Sequence, residues 1–221
     1  MSSRITLNES TFDESVEKVA HEIRSGGIAI LAAESGYMYI CDAFSHDAIS
    51  RVHTLRGDEE NTASQIFVGT SEVLKGLALD FDKDYQELAR AFWPGLLTFF
   101  LTPHSGLQWN LGDSGQLAEF AVRVPQRDFL RAVVANVGPV AAASAANRGA
   151  AAIREITLTP AMDSDIAIFV DEGVLPEGPA STILRRAIVG SVGGIEIMRE
   201  GAISESQLRA VLPTIMARTS E

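Results

Sequence analysis

The spacing of apolar residues changes repeatedly along the chain between the helical and the extended period. Val16, Val19, Ala20 and Ile23 recur at the helical period and predict a helix over residues 12–24 with one buried face. Short apolar runs between turn residues predict strands. The predicted strands lie at residues 28–31, 37–41, 65–68, 96–101, 120–124, 139–143, 166–170, 181–184 and 195–198. Further helices are predicted at residues 46–55, 71–78, 83–92 and 127–136, and at the C-terminal end.

Local sequence signals mark the ends of two of these helices. Thr11 with Glu14, and Ser204 with Gln207, have the spacing of a capping box and are predicted to begin the first and the last helix. Helical and extended segments alternate along the whole chain without a linker or an internal repeat. The pattern therefore predicts an α/β fold, with a mixed sheet flanked by helices in a single domain of residues 1–221.

Composition narrows the class of protein. The chain has 221 residues, of which 46% are hydrophobic and 21% charged, as expected for a globular domain rather than a disordered chain. A single cysteine, Cys41, excludes an internal disulfide and a zinc site built from several thiolates. The first ten residues are polar and do not resemble a signal peptide, and the longest apolar run is too short to span a bilayer. We therefore expect a cytoplasmic protein.

Charge is distributed unevenly along the chain. The formal net charge is -11, and residues 1–122 account for -10 of it, with 8 basic and 18 acidic residues. Residues 123–199 are neutral, with 8 of each, and all their basic residues are arginine. Arginine binds carboxylate and phosphate groups with two parallel hydrogen bonds. The total charge does not favour a broad basic face for duplex nucleic acid, but it allows a local anion pocket.

Common catalytic and binding motifs are missing from the sequence. The four histidines have no metal-binding spacing, and neither a P-loop nor a GxGxxG dinucleotide motif occurs. The sequence Gly-Asp-Ser-Gly at residues 112–115 is similar to the nucleophile loop of trypsin-like proteases, but the alternating helices and strands contradict an all-β protease. We interpret it as a turn, and we predict no metal site.

Four segments share their order and spacing with the motifs of one family. They are SGGIAILAAESGY at residues 25–37, FWPGLLT at residues 92–98, VRVP at residues 122–125 and MREGAIS at residues 198–204. Together they resemble the YrdC/YciO family, the threonylcarbamoyl-AMP synthases and their YciO-type paralogues. The resemblance covers about residues 10–212, and Phe-Trp-Pro-Gly is its most distinctive part.

The resemblance implies both a fold and a function. The family fold is a twisted open mixed sheet with flanking helices around a concave, positively charged cavity. Its enzymes are nucleotidyltransferases that use ATP and magnesium to join threonine and bicarbonate into threonylcarbamoyl-AMP, with release of pyrophosphate, for a transfer RNA modification. Members also resemble double-stranded RNA binders, so nucleotide, double-stranded RNA and tRNA are the partners implied for this chain.

The resemblance also implies a set of substrate- or nucleotide-binding residues, although it assigns no catalytic residue. They share a position in a family motif and a side chain that can hydrogen-bond an anionic substrate. They are Glu34, Ser35, Tyr37, Arg56, Arg123, Ser144, Asn147, Ser181 and Arg199.

The chain departs from the family motifs at positions close to the expected chemistry. Ala33 replaces a threonine, Asp58 replaces an arginine, and Thr62 replaces a second basic residue. Ala146 occupies the position of the family asparagine, with Asn147 one residue later. An aspartate a few ångströms from a phosphate opposes its binding by about 1 kcal/mol even in water. The cavity is therefore expected to have lost much of its positive charge.

Two main hypotheses follow from this combination of retained and lost residues. In the first, the chain binds a nucleotide, RNA or a related small anion, and its synthase activity is lost or altered. In the second, it is an active ATP-dependent threonylcarbamoyl-AMP synthase. A structural role in a larger complex is a third, weaker hypothesis.

Overall fold

The computed structural model describes residues 2–116, 118–157, 159–189 and 192–217. The strands are β1 (Ser3–Thr6), β2 (Ile28–Ala32), β3 (Tyr37–Asp42), β4 (Gln65–Phe67), β5 (Leu97–Leu101), β6 (Phe120–Arg123), β7 (Val140–Ser144), β8 (Ile166–Asp171), β9 (Thr182–Val189) and β10 (Val192–Arg199). The helices are α1 (Phe12–Arg24), α2 (His46–Arg56), α3 (Leu74–Leu77), α4 (Lys83–Phe92), α5 (Asp128–Val137), α6 (Pro160–Asp165) and α7 (Glu205–Val211).

All ten of these strands belong to one mixed sheet, whose order is β1-β8-β2-β3-β7-β4-β6-β5-β9-β10. The sheet contains both parallel pairs, such as β2 with β8 and β4 with β6, and antiparallel pairs, such as β2 with β3 and β5 with β6. Helices α1 and α5 pack against each other and contribute to one hydrophobic cluster, while α2, α4 and α7 contribute to another. The predicted fold, a mixed sheet with flanking helices, is confirmed.

Helix α1 forms where the spacing of apolar residues predicted it. Its apolar stripe is buried as predicted, and its ends coincide with the predicted ones. The capping box at Thr11 is wrong, however, because the Asn8 side chain accepts the Thr11 N–H and caps a preceding 3-10 turn instead. The second capping box is confirmed, since Ser204 and Gln207 exchange both of its hydrogen bonds.

Other differences from the predicted elements have simple causes. Residues 71–78 form a 3-10 turn and the single-turn helix α3 rather than one helix, with Gly76 in its middle. Strand β1 was missed because it is short, alternately half-buried, and pairs only with β8. Helix α6 was also missed, since it has only six residues. None of the helices in the described part of the chain is both long and apolar enough to cross a bilayer.

Candidate functional site

A cavity of about 400 Å³ opens on the sheet where loops and strand ends from most of its length converge. Eight of the nine residues predicted from the family motifs line it: Glu34, Ser35, Tyr37, Arg56, Arg123, Ser144, Ser181 and Arg199. We call this space the arginine cavity. Its volume lies within the usual range for small-molecule sites, about 300–1,000 Å³.

Glu34 and Arg123 form an ion pair at the inner wall of the arginine cavity. Glu34 lies in the turn between β2 and β3, and Arg123 ends β6. The guanidinium donates two parallel bonds to the carboxylate, at 2.5 and 2.8 Å, and the Gln126 N–H donates a third at 2.9 Å. Only 5% of the Arg123 side chain is exposed. The charges of Glu34 and Arg123 are therefore paired with each other inside the protein.

The Phe-Trp-Pro-Gly segment helps to hold Arg123 in place. The Gly95 N–H bonds to the Val124 carbonyl at 2.9 Å, and the Gly95 carbonyl accepts a weaker bond from Arg123 at 3.4 Å. A Cβ at Gly95 would lie 2.6 Å from the Phe92 carbonyl, so the turn requires glycine. The guanidinium also lies over the Phe67 ring, 4.5 Å from its centre.

A second ion pair joins the end of helix α2 to the loop that follows it. Ser45 caps the start of α2, and Gly57 ends it in the left-handed conformation, with φ at 64°. This turn brings the Asp58 carboxylate within 2.8 Å of both Arg56 Nε and His53 Nδ1. The Asp58 side chain is 2% exposed.

Arg56 also connects this loop to the end of β7. Its Nη1 donates to the carbonyls of Ser144 and Ala146, the latter at 3.1 Å. Two of its nitrogens are thus bound to protein oxygens. Asp58, expected from the sequence to lower the positive charge of the cavity, thus forms an ion pair with Arg56.

The two inner carboxylates are held in their charged forms. Burial acts to raise the pKa of Glu34, but the hydrogen bonds and charge of Arg123 outweigh it, so that pKa lies below its usual value. Burial likewise acts to raise the pKa of Asp58, and Arg56 and His53 together lower it below its usual value. Each ion pair is therefore intact at neutral pH.

Arg199 occupies a different environment at the rim of the arginine cavity. It ends β10 and is exposed, and its Nε and Nη2 donate to the Ser181 carbonyl at 3.2 and 2.9 Å. Among the described residues, no carboxylate forms an ion pair with it. The Ser181 hydroxyl accepts a bond from Thr98 at 2.9 Å, and Thr98 accepts one from Gln65 at 3.1 Å. This chain of side chains fixes Ser181 and Arg199 relative to the sheet.

Tyr37 and Ser35 both contact loops that lie elsewhere in the chain. Tyr37 is fully buried, and its hydroxyl donates to the Gly173 carbonyl at 2.8 Å and accepts the Glu172 N–H at 2.9 Å. Its hydroxyl is therefore bound to the loop after β8. Ser35 is half-buried in the β2–β3 turn, where it faces Gly178.

Ser144 and Asn147 lie on different sides of the turn that follows β7. The Ser144 hydroxyl is buried and has no hydrogen-bond partner within the described part of the chain. Asn147 is exposed and is not among the residues that line the arginine cavity. The strand ends at Ser144, and the chain then turns, with the Asn147 carbonyl accepting the Ala150 N–H at 3.0 Å. The structure therefore does not bring Asn147 into the arginine cavity with the other eight predicted residues.

The charges that line the arginine cavity nearly cancel. Three arginines and two carboxylates leave a formal charge of +1 when His53 is neutral. The described residues contain no group of three or more His, Cys, Asp or Glu side chains placed to hold a metal ion. Glu34 and Asp58 are bound to arginines, so the residues that line the cavity do not fit a magnesium ligand set.

Sequence reasoning missed four polar residues of the cavity region. His53, Ser64 and Gln65 line the cavity, and Thr98 is buried beneath Ser181. Thr98 ends the FWPGLLT segment, so the motif already contained it. His53 lies one turn before Arg56 on α2, a spacing that places both side chains near one face. Ser64 and Gln65 gave no sequence signal.

Comparisons with known proteins identify the family of this chain. A model of the Sua5/YciO/YrdC family, described as "Telomere recombination", matches residues 21–201. A Mycobacterium tuberculosis protein named "Putative threonylcarbamoyl-AMP synthase" is 26% identical over 191 residues, covering 86% of this chain and 85% of that protein. A Coxiella burnetii threonylcarbamoyl-AMP synthase is 25% identical over 185 residues, covering 82% of this chain and 97% of that protein.

Solved structures show the same fold. Pyrococcus abyssi Sua5 in complex with L-threonine has a TM-score of 0.81 at 21% identity, over 99% of this chain and 62% of that protein. This chain therefore spans less than two thirds of the Sua5 chain. Escherichia coli YciO has a TM-score of 0.69 at 17% identity, over 91% of this chain and 96% of YciO. With the family model covering most of its length, this chain belongs to the Sua5/YciO/YrdC family.

Proposed function

We propose that this chain is a divergent family member that binds a nucleotide or a related small anion in the arginine cavity, with threonylcarbamoyl-AMP synthase activity lost or altered. One observation carries the proposal. Arg56 is paired with Asp58, a carboxylate that replaces an arginine of the family motif, and it also donates to two backbone carbonyls. A ligand phosphate at Arg56 therefore lies close to a buried carboxylate whose negative charge opposes its binding.

The charge balance favours a ligand with few negative charges. A synthase of this family must hold a triphosphate and a carboxylate together, and cationic or backbone donors have to offset their repulsion. The arginine cavity has a formal charge of only +1. Such a cavity suits a nucleoside monophosphate or a small carboxylate better than ATP with threonine.

The residues that remain available for this ligand are neutral donors and one cation. We assign the anion to Arg199, the exposed rim arginine, and to the hydroxyls of Ser35, Ser144 and Ser181 around it. The unpartnered Ser144 hydroxyl supports this assignment, because a buried hydroxyl without a partner costs free energy that a ligand oxygen would recover. Glu34, Tyr37, Arg56 and Arg123 then shape the cavity. Asn147, exposed outside it, is assigned no contact with the ligand.

The second candidate function is the active synthase, a nucleotidyltransferase that uses ATP and magnesium. It is favoured by the names of the relatives, which match more than four fifths of this chain. The convergence of eight predicted residues on one cavity also supports it. In that case the ligand phosphates would bind Arg56 beside the Asp58 carboxylate, and magnesium would be held mainly by the phosphates.

RNA is a partner that we rank below a nucleotide. RNA binding normally needs a basic surface along the phosphate backbone, whereas this chain has a formal net charge of -11. Nucleotide binding and a link to tRNA modification both fit a cytoplasmic location, which we propose on that basis.

Pyrophosphate release from ATP, with threonine and bicarbonate present, separates the two functions. The Coxiella burnetii relative, assayed in parallel, serves as the positive control. We expect no threonine-dependent release from this chain, together with a rise in melting temperature on addition of AMP. Threonine-dependent release at an ordinary enzyme rate, on the order of 1 per second or faster, would establish the active synthase instead. The absence of any melting shift with AMP, ATP or threonine would contradict the anion-binding proposal.

A further inference from the structure

A second cavity shares one lining residue, Glu34, with the arginine cavity. Its volume is about 520 Å³, which also lies within the usual range for small-molecule sites. The segment between β1 and α1, the turn between β2 and β3, the start of α5 and the loop after β8 all contribute to its wall. We call this space the Glu172 cavity.

The charge of the Glu172 cavity is opposite in sign to that of the arginine cavity. Three carboxylates, those of Glu34, Asp128 and Glu172, and one guanidinium, that of Arg127, give the lining residues a formal charge of -2. Glu34 is already paired at the arginine cavity, and Asp128 is exposed and accepts a bond from Arg131 at 2.6 Å. Glu172 is therefore the carboxylate whose pairing decides what this cavity can bind.

Only one of the two carboxylate oxygens of Glu172 has a partner. Oε2 accepts a bond from Arg127 Nη1 at 2.8 Å. Oε1 is buried and accepts no hydrogen bond from any residue that the structure describes. Burial raises the pKa of Glu172 above its usual value although Arg127 opposes the shift, whereas the pKa of the fully bonded Glu34 is lowered. A buried oxygen without a donor costs free energy that a ligand donor would recover.

The remaining wall of the Glu172 cavity is apolar. The rings of Phe12 and Phe129 meet edge to face with their centres 5.5 Å apart, and Leu7 and Pro176 lie beside them along the wall. Leu7 and Phe12 are only half-buried, so a ligand that covers them removes apolar surface from water. This surface fits a ligand that combines an apolar body with a hydrogen-bond donor.

We propose that the Glu172 cavity binds a small primary amine with an aromatic or aliphatic body. The ammonium group donates to the free oxygen of Glu172, and the body packs against Leu7 and Phe12. The torsion that turns a glutamate carboxylate is soft, so Glu172 can present its free oxygen to the ligand while Arg127 keeps the other. Arg127 is bound to the opposite oxygen, so its charge lies farther from the ammonium group than the carboxylate does.

Two contacts hold this acceptor in place without a ligand. Arg127 Nε donates to the Ala33 carbonyl at 3.1 Å, and the Tyr37 hydroxyl accepts the Glu172 N–H at 2.9 Å. Ala33 and Tyr37 flank the turn between β2 and β3, which also carries Glu34. Glu172 and Arg127 are thus fixed to one turn of the sheet, which lowers the cost of ordering them when an amine binds.

The first experiment measures the binding of 2-phenylethylamine to the full chain near neutral pH, by ligand-observed NMR titration. We expect a dissociation constant of about 1 mM or lower, which is within reach of so small a ligand. Ethylamine, which lacks the ring, and phenylacetate, which reverses the charge, should each bind about tenfold more weakly or not at all. No binding of 2-phenylethylamine at about 10 mM, or equal binding of phenylacetate, would overturn the proposal.

A substitution at Glu172 tests the acceptor itself. Glu172→Gln keeps the size of the side chain and removes its charge, and we expect it to weaken 2-phenylethylamine binding about tenfold. Glu177→Gln is the matched control, because Glu177 is exposed in the same loop and does not line the cavity. The control should bind like the wild type. Unchanged affinity in Glu172→Gln, or an equal loss in both variants, would contradict an amine site at Glu172.

A titration with AMP present keeps this site apart from the anion site. Because the amine and the anion are assigned to different cavities, the dissociation constant of 2-phenylethylamine should be the same with and without AMP. Loss of amine binding in the presence of AMP would place the amine in the arginine cavity and contradict the proposal. A melting shift with AMP but no amine binding leaves the anion site and removes the amine site. Amine binding without that melting shift does the reverse.

Discussion

The inner wall and the rim of the arginine cavity use the same residue type in opposite ways. At the inner wall, Arg56 and Arg123 are paired with buried carboxylates, and at the rim Arg199 donates to the backbone and hydroxyl of Ser181. All three arginines were predicted from family motifs with equal weight. A retained arginine and an available positive charge are therefore different properties, because a carboxylate close to the arginine decides whether its charge is available.

Burial explains why the two regions differ. An arginine at the inner wall loses most of its hydration and needs a partner that restores it, whereas an exposed arginine keeps water around its free nitrogens. Arg123 and Glu34 are such partners for each other, because two direct hydrogen bonds join them. The Gln126 N–H donates a further bond to Glu34. Removing one member at the inner wall should therefore cost far more stability than removing Arg199.

The largest effect is expected from Arg123→Met. This change leaves the Glu34 carboxylate buried without its partner, and breaking a buried pair in this way typically costs about 3–5 kcal/mol. The free energy of unfolding in urea, followed by circular dichroism, measures the loss. The double variant Glu34→Gln with Arg123→Met should recover part of it, since no unpaired charge then remains. A single-variant loss below about 1 kcal/mol would mean that the pair is not essential to the inner wall.

A smaller but distinct effect is expected from Asp58→Asn. The amide keeps the size of the carboxylate but weakens its bonds to Arg56 and His53, at a cost of about 1–3 kcal/mol for hydrogen bonds to charged groups. Asp47→Asn is the matched control, because Asp47 pairs with Arg51 in an exposed position on the same helix. We expect the control to change the unfolding free energy by less than about 0.5 kcal/mol. Equal losses in both variants would remove the distinction between inner and surface pairs.

The inner ion pairs should also make the stability of the protein depend on pH. The folded-state pKa values of Glu34 and Asp58 both lie below their usual values. Their contribution is therefore fully present above the unfolded-state pKa, near 4, and is lost as the pH falls through the lower folded-state pKa. Between pH 5 and pH 3, wild-type unfolding free energy should fall more than that of Asp58→Asn, by an amount on the order of 1 kcal/mol. Identical slopes would contradict an ionised, stabilising Asp58.

Much of this arrangement could be predicted from the sequence, and the remainder could not for a physical reason. The spacing of apolar residues predicted α1 and most of the strands. The family motifs predicted eight residues that line one cavity. The pairing of Glu34 with Arg123 was not predicted, because it joins positions 89 residues apart on different strands of the sheet. His53 and Ser64 are only 11 residues apart, and they were missed because no recognised motif contained them. Their partners meet only when the loop after α2 folds back onto residues 111–113.

The smallest effect on stability is expected at the rim. Arg199→Met removes bonds to an accessible carbonyl and hydroxyl and breaks no ion pair among the described residues. The unfolding free energy should change by less than about 0.5 kcal/mol, as for other exposed positions. Urea unfolding measures the change, with Arg90→Met on the exposed surface of α4 as the control. A loss comparable to that of Arg123→Met would place Arg199 among the structural arginines.

The central claim is that internal pairing, and not the number of arginines, sets the affinity of the cavity for anions. Calorimetric titration of AMP into the wild type, Asp58→Asn and Arg199→Met tests it most directly. We predict that Asp58→Asn, which removes the negative charge beside Arg56, binds AMP several-fold more tightly than the wild type despite its lower stability. We also predict that Arg199→Met binds about tenfold more weakly. Unchanged affinity in both variants would contradict the account.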